Sequence, residues 1–129
     1  MSKIGKFEIL EEIYTSNRSW VVRARSDHYQ KDIILKSSFN DRPEPEEIAT
    51  LHREYEIYRK IDDPRIVKAL DFVRIEHRSF IVQEIALGQS LDSMIKESYS
   101  FSLEEILAIG IQIAEALQAI HGAGIIHKD

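Results

Sequence analysis

Short apolar runs separated by polar turns occupy the first third of the chain. Residues 7–10, 20–24 and 33–36 are rich in the β-branched and aromatic residues that strands favour. Polar turns lie between them at residues 15–19 and 26–32. Strand, turn and strand at this spacing predict an antiparallel meander.

The pattern changes to a helical period over residues 44–61. The apolar residues that recur there at steps of three or four are Ile48, Leu51, Tyr55, Tyr58 and Ile61. Pro64 ends the pattern, because the residue before a proline is disfavoured in a helix. Two more strands are expected at residues 66–75 and 80–85.

Only helices are expected in the last third of the chain, at residues 90–96 and 102–120. Ser102 and Glu105 have the spacing of a capping box, and Gly122 and Gly124 follow as a stop signal. Apolar residues cover a wide arc of the second helix, so we expect it to be largely buried. The order of elements predicts an α+β fold divided into residues 1–86 and 87–129.

Composition narrows the class of protein. The 129 residues include 17 Lys plus Arg against 22 Asp plus Glu, a net charge of −5 that disfavours nucleic acid as a partner. Cysteine is absent, which excludes disulfides and cysteine-ligated metals, and no other metal site is expected. Charged and amide residues interrupt the longest apolar stretch, so we expect a cytoplasmic protein that does not insert into membranes.

One carboxylate falls where an apolar residue belongs. Glu54 lies inside the apolar arc of the 44–61 helix, and a lone buried carboxylate is costly. Either it has a cationic partner or it extends past the edge of the arc into solvent, and the pattern leaves both open. The candidate partner is Lys36, which ends an apolar strand on the same face as Ile34. A Lys–Glu pair between sheet and helix holds an ammonium against nucleotide phosphates in phosphotransfer enzymes.

Four segments follow one another in an order and at spacings typical of one family. They are Ile33-Ile34-Leu35-Lys36, Asp63-Pro64-Arg65-Ile66-Val67, Ile81-Val82-Gln83-Glu84-Ile85-Ala86 and Ile125-Ile126-His127-Lys128-Asp129. With these segments the chain resembles the N-terminal part of a protein kinase domain. The resemblance implies an N-lobe of five antiparallel strands plus helix C, followed by helices D and E of a partial C-lobe. The resemblance is to kinases of the Ser/Thr type, and the chain is similar to the kinase-like domain at the N-terminus of bacterial multisensor signalling kinases.

The resemblance also implies roles for individual residues. Lys36 is the ligand of the α- and β-phosphates, Glu54 positions it, and Asp129 is the base that accepts the substrate hydroxyl proton. The residues expected around ATP are Ile13, Val21, Ile34, Lys36, Gln83, Glu84 and Ala86. Of these, Gln83 is the gatekeeper, and the backbones of Glu84 and Ala86 pair with adenine.

The chain departs from the family pattern in its first loop. Tyr14, Ser16 and Ser19 replace the three glycines of Gly-x-Gly-x-x-Gly, and side chains there obstruct a close approach of phosphate to the backbone. Two interpretations remain open: the hydroxyls of Ser16 and Ser19, or Arg18, donate to phosphate, or the loop is an ordinary polar turn. Ile34 replaces a small alanine, which should narrow the adenine slot.

The metal-binding Asn and Asp-Phe-Gly of the family are not among these residues. The resemblance implies ATP with Mg²⁺, whose protein ligands would lie beyond Asp129. We therefore expect a kinase fragment that does not transfer phosphate as this 129-residue chain, with ATP and a protein substrate or signalling partner as ligands. The alternatives are a non-catalytic kinase-like module that binds a partner, and a non-functional gene product.

Overall fold

The computed structural model describes residues 2–125, and its strands form one antiparallel sheet. The strands are β1 (Lys3–Ile4), β2 (Phe7–Thr15), β3 (Ser19–Arg25), β4 (Ile33–Ser38), β5 (Ala69–Ile75) and β6 (Arg78–Glu84). Their order across the sheet is β1-β2-β3-β4-β6-β5. The sequence predicts five strands, and the sixth is the two-residue β1. So short a strand shows no alternation from which to predict it.

Three helices accompany the sheet. They are α1 (Pro45–Tyr58), α2 (Leu91–Lys96) and α3 (Leu103–Gly122). The first ends three residues earlier than the apolar pattern predicts, with Arg59 as its C-cap. β5 likewise begins at Ala69 and not at residue 66. Apart from the unpredicted β1, element types are therefore as predicted, and the differences lie at element ends.

Contacts divide the chain into two compact units. The first consists of the residues up to Asp62 together with Val67–Ile85, and therefore holds the sheet and α1. The second consists of Asp63–Ile66 together with the residues from Ala86 onward. The division into lobes at residue 86 stays a prediction.

One face of the sheet forms the core of the first unit. Val22, Leu35 and Val82 lie opposite one another on three neighbouring strands, and each is fully buried. Phe7 and Phe80 are also fully buried and belong to the same cluster. Burial of aromatic and branched side chains is the main stabilising term, at about 1.5–3 kcal/mol for each large side chain.

The other face of the sheet carries the candidate chemistry. Since successive side chains alternate between faces, Val21, Lys36 and Ile81 lie side by side on it. Ile34 and Gln83 form the next pair along the same face. Helix α1 packs against β4, β5 and β6. The sheet therefore separates an apolar core from a face on which polar side chains reach a helix.

Helix α3 differs from the sequence-based expectation. The prediction that it is largely buried is wrong, since Ile120 is its only buried residue. Its exposed large apolar side chains are Leu103, Ile106, Leu107, Ile111, Ile113 and Leu117. An apolar arc indicates what a helix is able to bury, but the described residues of this chain leave most of the arc uncovered. Helices long and apolar enough to cross a membrane are absent from residues 2–125.

Arg78, the first residue of β6, joins several segments of the first unit. Its guanidinium carbon lies 4.6 Å from the centre of the Trp20 ring. Its Nη2 donates to the carbonyl oxygens of Ser38 at 3.3 Å and Phe39 at 2.6 Å. Burial lowers the pKa of Arg78, while the charge of Asp41 acts in the opposite direction. The side chain thereby holds the end of β4 and the start of β3 against β6.

Replacing Arg78 by lysine tests this contact. Lysine keeps the charge but loses the planar group that stacks on Trp20 and donates two bonds, so Arg78→Lys should lower the free energy of unfolding by about 1–3 kcal/mol. Urea unfolding is followed by fluorescence of Trp20, the single tryptophan. Arg74→Lys is the matched control on β5, expected to stay within about 0.5 kcal/mol of wild type because it is exposed. Equal losses for the two variants would contradict the assignment.

The capping box predicted at the start of α3 is present. The Glu105 amide donates to Ser102 Oγ at 3.1 Å, and Glu105 Oε1 accepts the Ser102 amide at 3.1 Å. The Tyr99 hydroxyl donates to Glu105 Oε2 at 2.8 Å. The Ser102 amide, and after it the Tyr99 hydroxyl, lower the pKa of Glu105. The bond between Tyr99 and Glu105 in turn raises the pKa of Tyr99. The ionised form of Glu105 is therefore the one that caps the helix.

The pH dependence of the cap follows from this shift. Because the folded-state pKa of Glu105 is lowered, its contribution is complete above the unfolded value of about 4.3 and is lost as the pH falls through the folded value. Carbon-detected NMR titration of the Glu105 carboxyl should give a pKa below that of a glutamate in the unfolded chain. Tyr99→Phe should move it upward, since one donor is removed. An identical pKa in the two proteins would show that the hydroxyl does not donate to this carboxylate.

Candidate functional site

Lys36 and Glu54 form an ion pair between the sheet and α1. The Nζ atom of Lys36, on β4, donates to Glu54 Oε1 at 2.6 Å. The side chains are 29% and 34% exposed, so the pair is partly shielded yet open to a ligand. Leu51, one turn before Glu54, is buried and fixes the face that α1 turns toward the sheet. The contact is the one predicted, and Glu54 does not extend past the edge of the helix into solvent.

A cavity of about 720 Å³ lies beside this pair within the first unit. The lining consists of residues 17–19 at the β2–β3 turn, residues 36–38 of β4, the N-cap Glu44 and the face of α1 that extends to Glu54. The turn and β4 contribute the cations of Arg18 and Lys36. The helix and its N-cap contribute carboxylates, those of Glu44, Glu46, Glu47 and Glu54. A phosphate-bearing ligand in this cavity would meet its two cations at the turn and the strand.

The β2–β3 turn is closed by its own hydrogen bonds. The amides of Arg18 and Ser19 both donate to Ser16 Oγ, at 3.2 Å and 3.1 Å. The Ser16 amide donates to the Ser19 carbonyl oxygen at 2.9 Å. Positive φ among the described non-glycine residues occurs at Glu76 and Ser98, outside this turn, so the turn does not require glycine. Of the two interpretations that the sequence leaves open, these contacts favour the ordinary polar turn.

Three of the residues expected around adenine share a face of the sheet with Lys36. Val21 and Gln83 are half-buried, and Ile34 is 8% exposed. In the register, Ile34 lies opposite Gln83, and Val21 lies opposite Lys36. None of the three lines the 720 Å³ cavity. The structure thus brings them onto one surface, and their contact with adenine stays a prediction.

The other expected residues are more dispersed. Ile13 lies on β2 with 51% of its surface exposed. Glu84 is exposed at the end of β6, and its amide donates to the Lys68 carbonyl oxygen at 3.0 Å. Ala86 is exposed and belongs to the second unit. Asp129, the expected catalytic base, lies outside the described residues.

Sequence reasoning did not find two contacts that hold the turn in place. The Phe39 amide donates to the Arg18 carbonyl oxygen at 3.1 Å, which ties the tip of the turn to the segment after β4. Trp20 stacks with Arg78 and donates from Nε1 to Glu12 Oε2 at 2.9 Å. Trp20 and Arg78 are far apart in sequence, and no periodicity relates them. Only the pairing of the strands brings them together.

The chain is similar to curated Ser/Thr-type kinases. A probable serine/threonine-protein kinase of Clostridium perfringens is 29% identical over 128 residues, which cover 97% of this chain and 18% of the relative. A probable myosin light chain kinase of Dictyostelium discoideum is 29% identical over 126 residues, which cover 98% of this chain and 39% of the relative. The chain therefore spans well under half of the length of these relatives.

Solved structures show the same fold. The crystal structure of the kinase domain of Mycobacterium tuberculosis PknI superposes with a TM-score of 0.78 at 18% sequence identity. The match covers 99% of this chain and 52% of that chain. Residues 7–129 match the family model of the protein kinase domain. Both the fold and the sequence therefore lead to one assignment: this chain belongs to the protein kinase domain family.

Proposed function

We propose that the chain is the ATP-binding part of a Ser/Thr protein kinase, which in the complete domain transfers the γ-phosphoryl group of ATP to a protein hydroxyl. The observation that carries this proposal is the 2.6 Å contact between Lys36 and Glu54 beside a cavity of about 720 Å³. On this proposal the chain binds ATP and a protein substrate or signalling partner, and it acts in the cytoplasm.

The ion pair suits the binding of phosphate. An ammonium group has three N–H donors, and one bond to Glu54 leaves two for phosphate oxygens. Glu54 keeps the flexible Lys36 side chain in one position, which lowers the entropy lost when phosphate binds. ATP with Mg²⁺ supplies the transferable phosphoryl group, and the residues of this chain bind and orient it.

The sheet face beside Lys36 suits the adenine ring. Val21 and Ile34 offer apolar surface, and the Gln83 amide offers both a donor and an acceptor. On this proposal adenine lies over these residues while its phosphates extend toward Lys36. Ile34 is larger than the residue that the family has at this position. On this proposal it makes the adenine slot narrow, so that the slot accepts a planar base more readily than one with bulky substituents.

A second candidate is a non-catalytic kinase-like module that binds a protein partner. The observation that favours it is the β2–β3 turn, in which Ser16 occupies the amides of Arg18 and Ser19. For either candidate, the 129 residues alone should not transfer labelled γ-phosphate, because the Asn and Asp-Phe-Gly metal ligands of the family are not among them. Transfer that is lost in Asp129→Asn would contradict this expectation.

Mg-ATP should stabilise the chain through Lys36. At a free concentration about ten times the dissociation constant, a single site adds about 1.4 kcal/mol, which raises the melting temperature by several degrees. In Lys36→Ala this rise should fall to near zero, because the ammonium no longer meets the phosphates. Thermal unfolding with and without Mg-ATP is the measurement, and each variant is compared with its own nucleotide-free state.

Lys68→Ala is the matched control. Lys68 forms an ion pair with the 92% exposed Asp62, at 3.5 Å, and does not line the cavity, so the ATP-dependent rise should stay at its wild-type size. A chain that is not stabilised by millimolar Mg-ATP would support the non-catalytic module. An equal rise in wild type and Lys36→Ala would place the nucleotide elsewhere.

A further inference from the structure

We propose that Ser16 is an internal competitor of the nucleotide phosphates, so that its hydroxyl oxygen sets the affinity of the β2–β3 turn for them. The inference rests on the proposed ATP site and adds a residue that determines affinity there. Ser16 stands where the family pattern has the second glycine of its phosphate-binding loop. Glycine at that position has no side chain with which to occupy the loop amides.

The competing contacts are specific to the turn. Ser16 Oγ accepts two amides at once, those of Arg18 at 3.2 Å and Ser19 at 3.1 Å. Consecutive or near-consecutive amides that point to one spot form a typical anion-binding arrangement. Here a neutral hydroxyl oxygen belonging to the chain already occupies that spot.

The turn lies where phosphate is expected. The cavity lined by Lys36 and Glu54 is also lined by Arg18 and Ser19. A phosphate bound by Lys36 would therefore lie near the turn. The tip is also held from the other side, because the Arg18 carbonyl oxygen accepts the Phe39 amide at 3.1 Å. A turn held at both ends presents its amides to Ser16 in a fixed geometry, and phosphate must displace the hydroxyl to reach them.

The competition is expected to weaken phosphate binding without abolishing it. A phosphate oxygen carries charge and is a stronger acceptor than a hydroxyl, so the exchange stays favourable. Phosphate must nevertheless break the existing bonds of the turn, and a neutral hydrogen bond contributes on the order of a fivefold change in affinity. The side chain of Arg18 supplies a cation to the same cavity whether or not its amide is free.

Ser16→Ala removes the acceptor and leaves the backbone unchanged. Dissociation constants for Mg-ATP, inorganic tripolyphosphate and adenosine are measured by calorimetry on the 129-residue chain. The affinities for Mg-ATP and tripolyphosphate should rise about fivefold, and that for adenosine should stay constant. Ser16→Thr, which keeps the hydroxyl, should match wild type. Ser26→Ala is the second control, since this hydroxyl also accepts a turn amide, that of His28 at 3.3 Å, but does not line the cavity.

Amide hydrogen exchange tests the contacts independently of any ligand. The amides of Arg18 and Ser19 should exchange slowly in wild type and in Ser16→Thr, and faster in Ser16→Ala. Exchange at unprotected rates in wild type would overturn the proposal, because the hydroxyl would not then hold these donors. The measurement also shows directly whether each variant retains the folded sheet.

The remaining outcomes separate this inference from the proposed function. Weaker tripolyphosphate binding in Ser16→Ala would mean that the hydroxyl donates to phosphate, which overturns the competitor role. Unchanged binding in Ser16→Ala, with ATP binding that still depends on Lys36, would overturn this inference alone. Failure of Mg-ATP and adenosine to bind any variant would overturn both the ATP site and the competitor.

Discussion

The ion pair between Lys36 and Glu54 ties the position of α1 to the register of β4. It joins β4 to α1 at 2.6 Å, and both partners are in place only if strand and helix keep their registers. A helix turns by about 100° per residue, so a shift of α1 by one residue would carry Glu54 away from the sheet while exposing Leu51. Burial of Leu51 and pairing of Glu54 therefore require the same docking of the helix.

The two sides of the cavity differ in the hydrogen-bond donors that they leave free for a ligand. On β4, Lys36 has donors to spare and a carboxylate that orients it. On the β2–β3 turn, Ser16 already satisfies the amides of Arg18 and Ser19, and Phe39 holds the tip. The glycine-rich loop of the family, whose backbone amides are free to bind phosphate, is thus replaced by a turn whose amides donate to its own serine. On the proposed function, affinity for phosphate depends on how easily those bonds open.

Much of the fold could be predicted because local patterns and local structure agree. The capping box of Ser102 and Glu105, the period of α1 and the strand that ends at Lys36 are short-range signals, and the structure contains each of them. The position of Glu54 in the apolar arc left pairing and exposure both open, and the family resemblance is what indicated its pairing with Lys36.

Long-range contacts could not be predicted in this way. The stacking of Arg78 on Trp20 depends on which strands are neighbours, and the sequence does not specify that order. The bonds of Ser16 depend on the conformation of one turn, for which the residues allowed two interpretations. The exposure of α3 depends on what packs against its apolar arc, and a pattern of apolar residues does not identify a partner.

A double-mutant cycle on Mg-ATP binding shows whether Glu54 acts on the nucleotide through Lys36. The dissociation constant is measured for wild type, Lys36→Ala, Glu54→Gln and the double variant. If Glu54 acts by holding Lys36, Glu54→Gln weakens binding about tenfold in wild type and does not weaken it further when Lys36 is already alanine, a coupling of more than about 1 kcal/mol. Additive losses, or a Glu54→Gln variant that binds Mg-ATP as wild type does, would show that Glu54 does not act by holding Lys36.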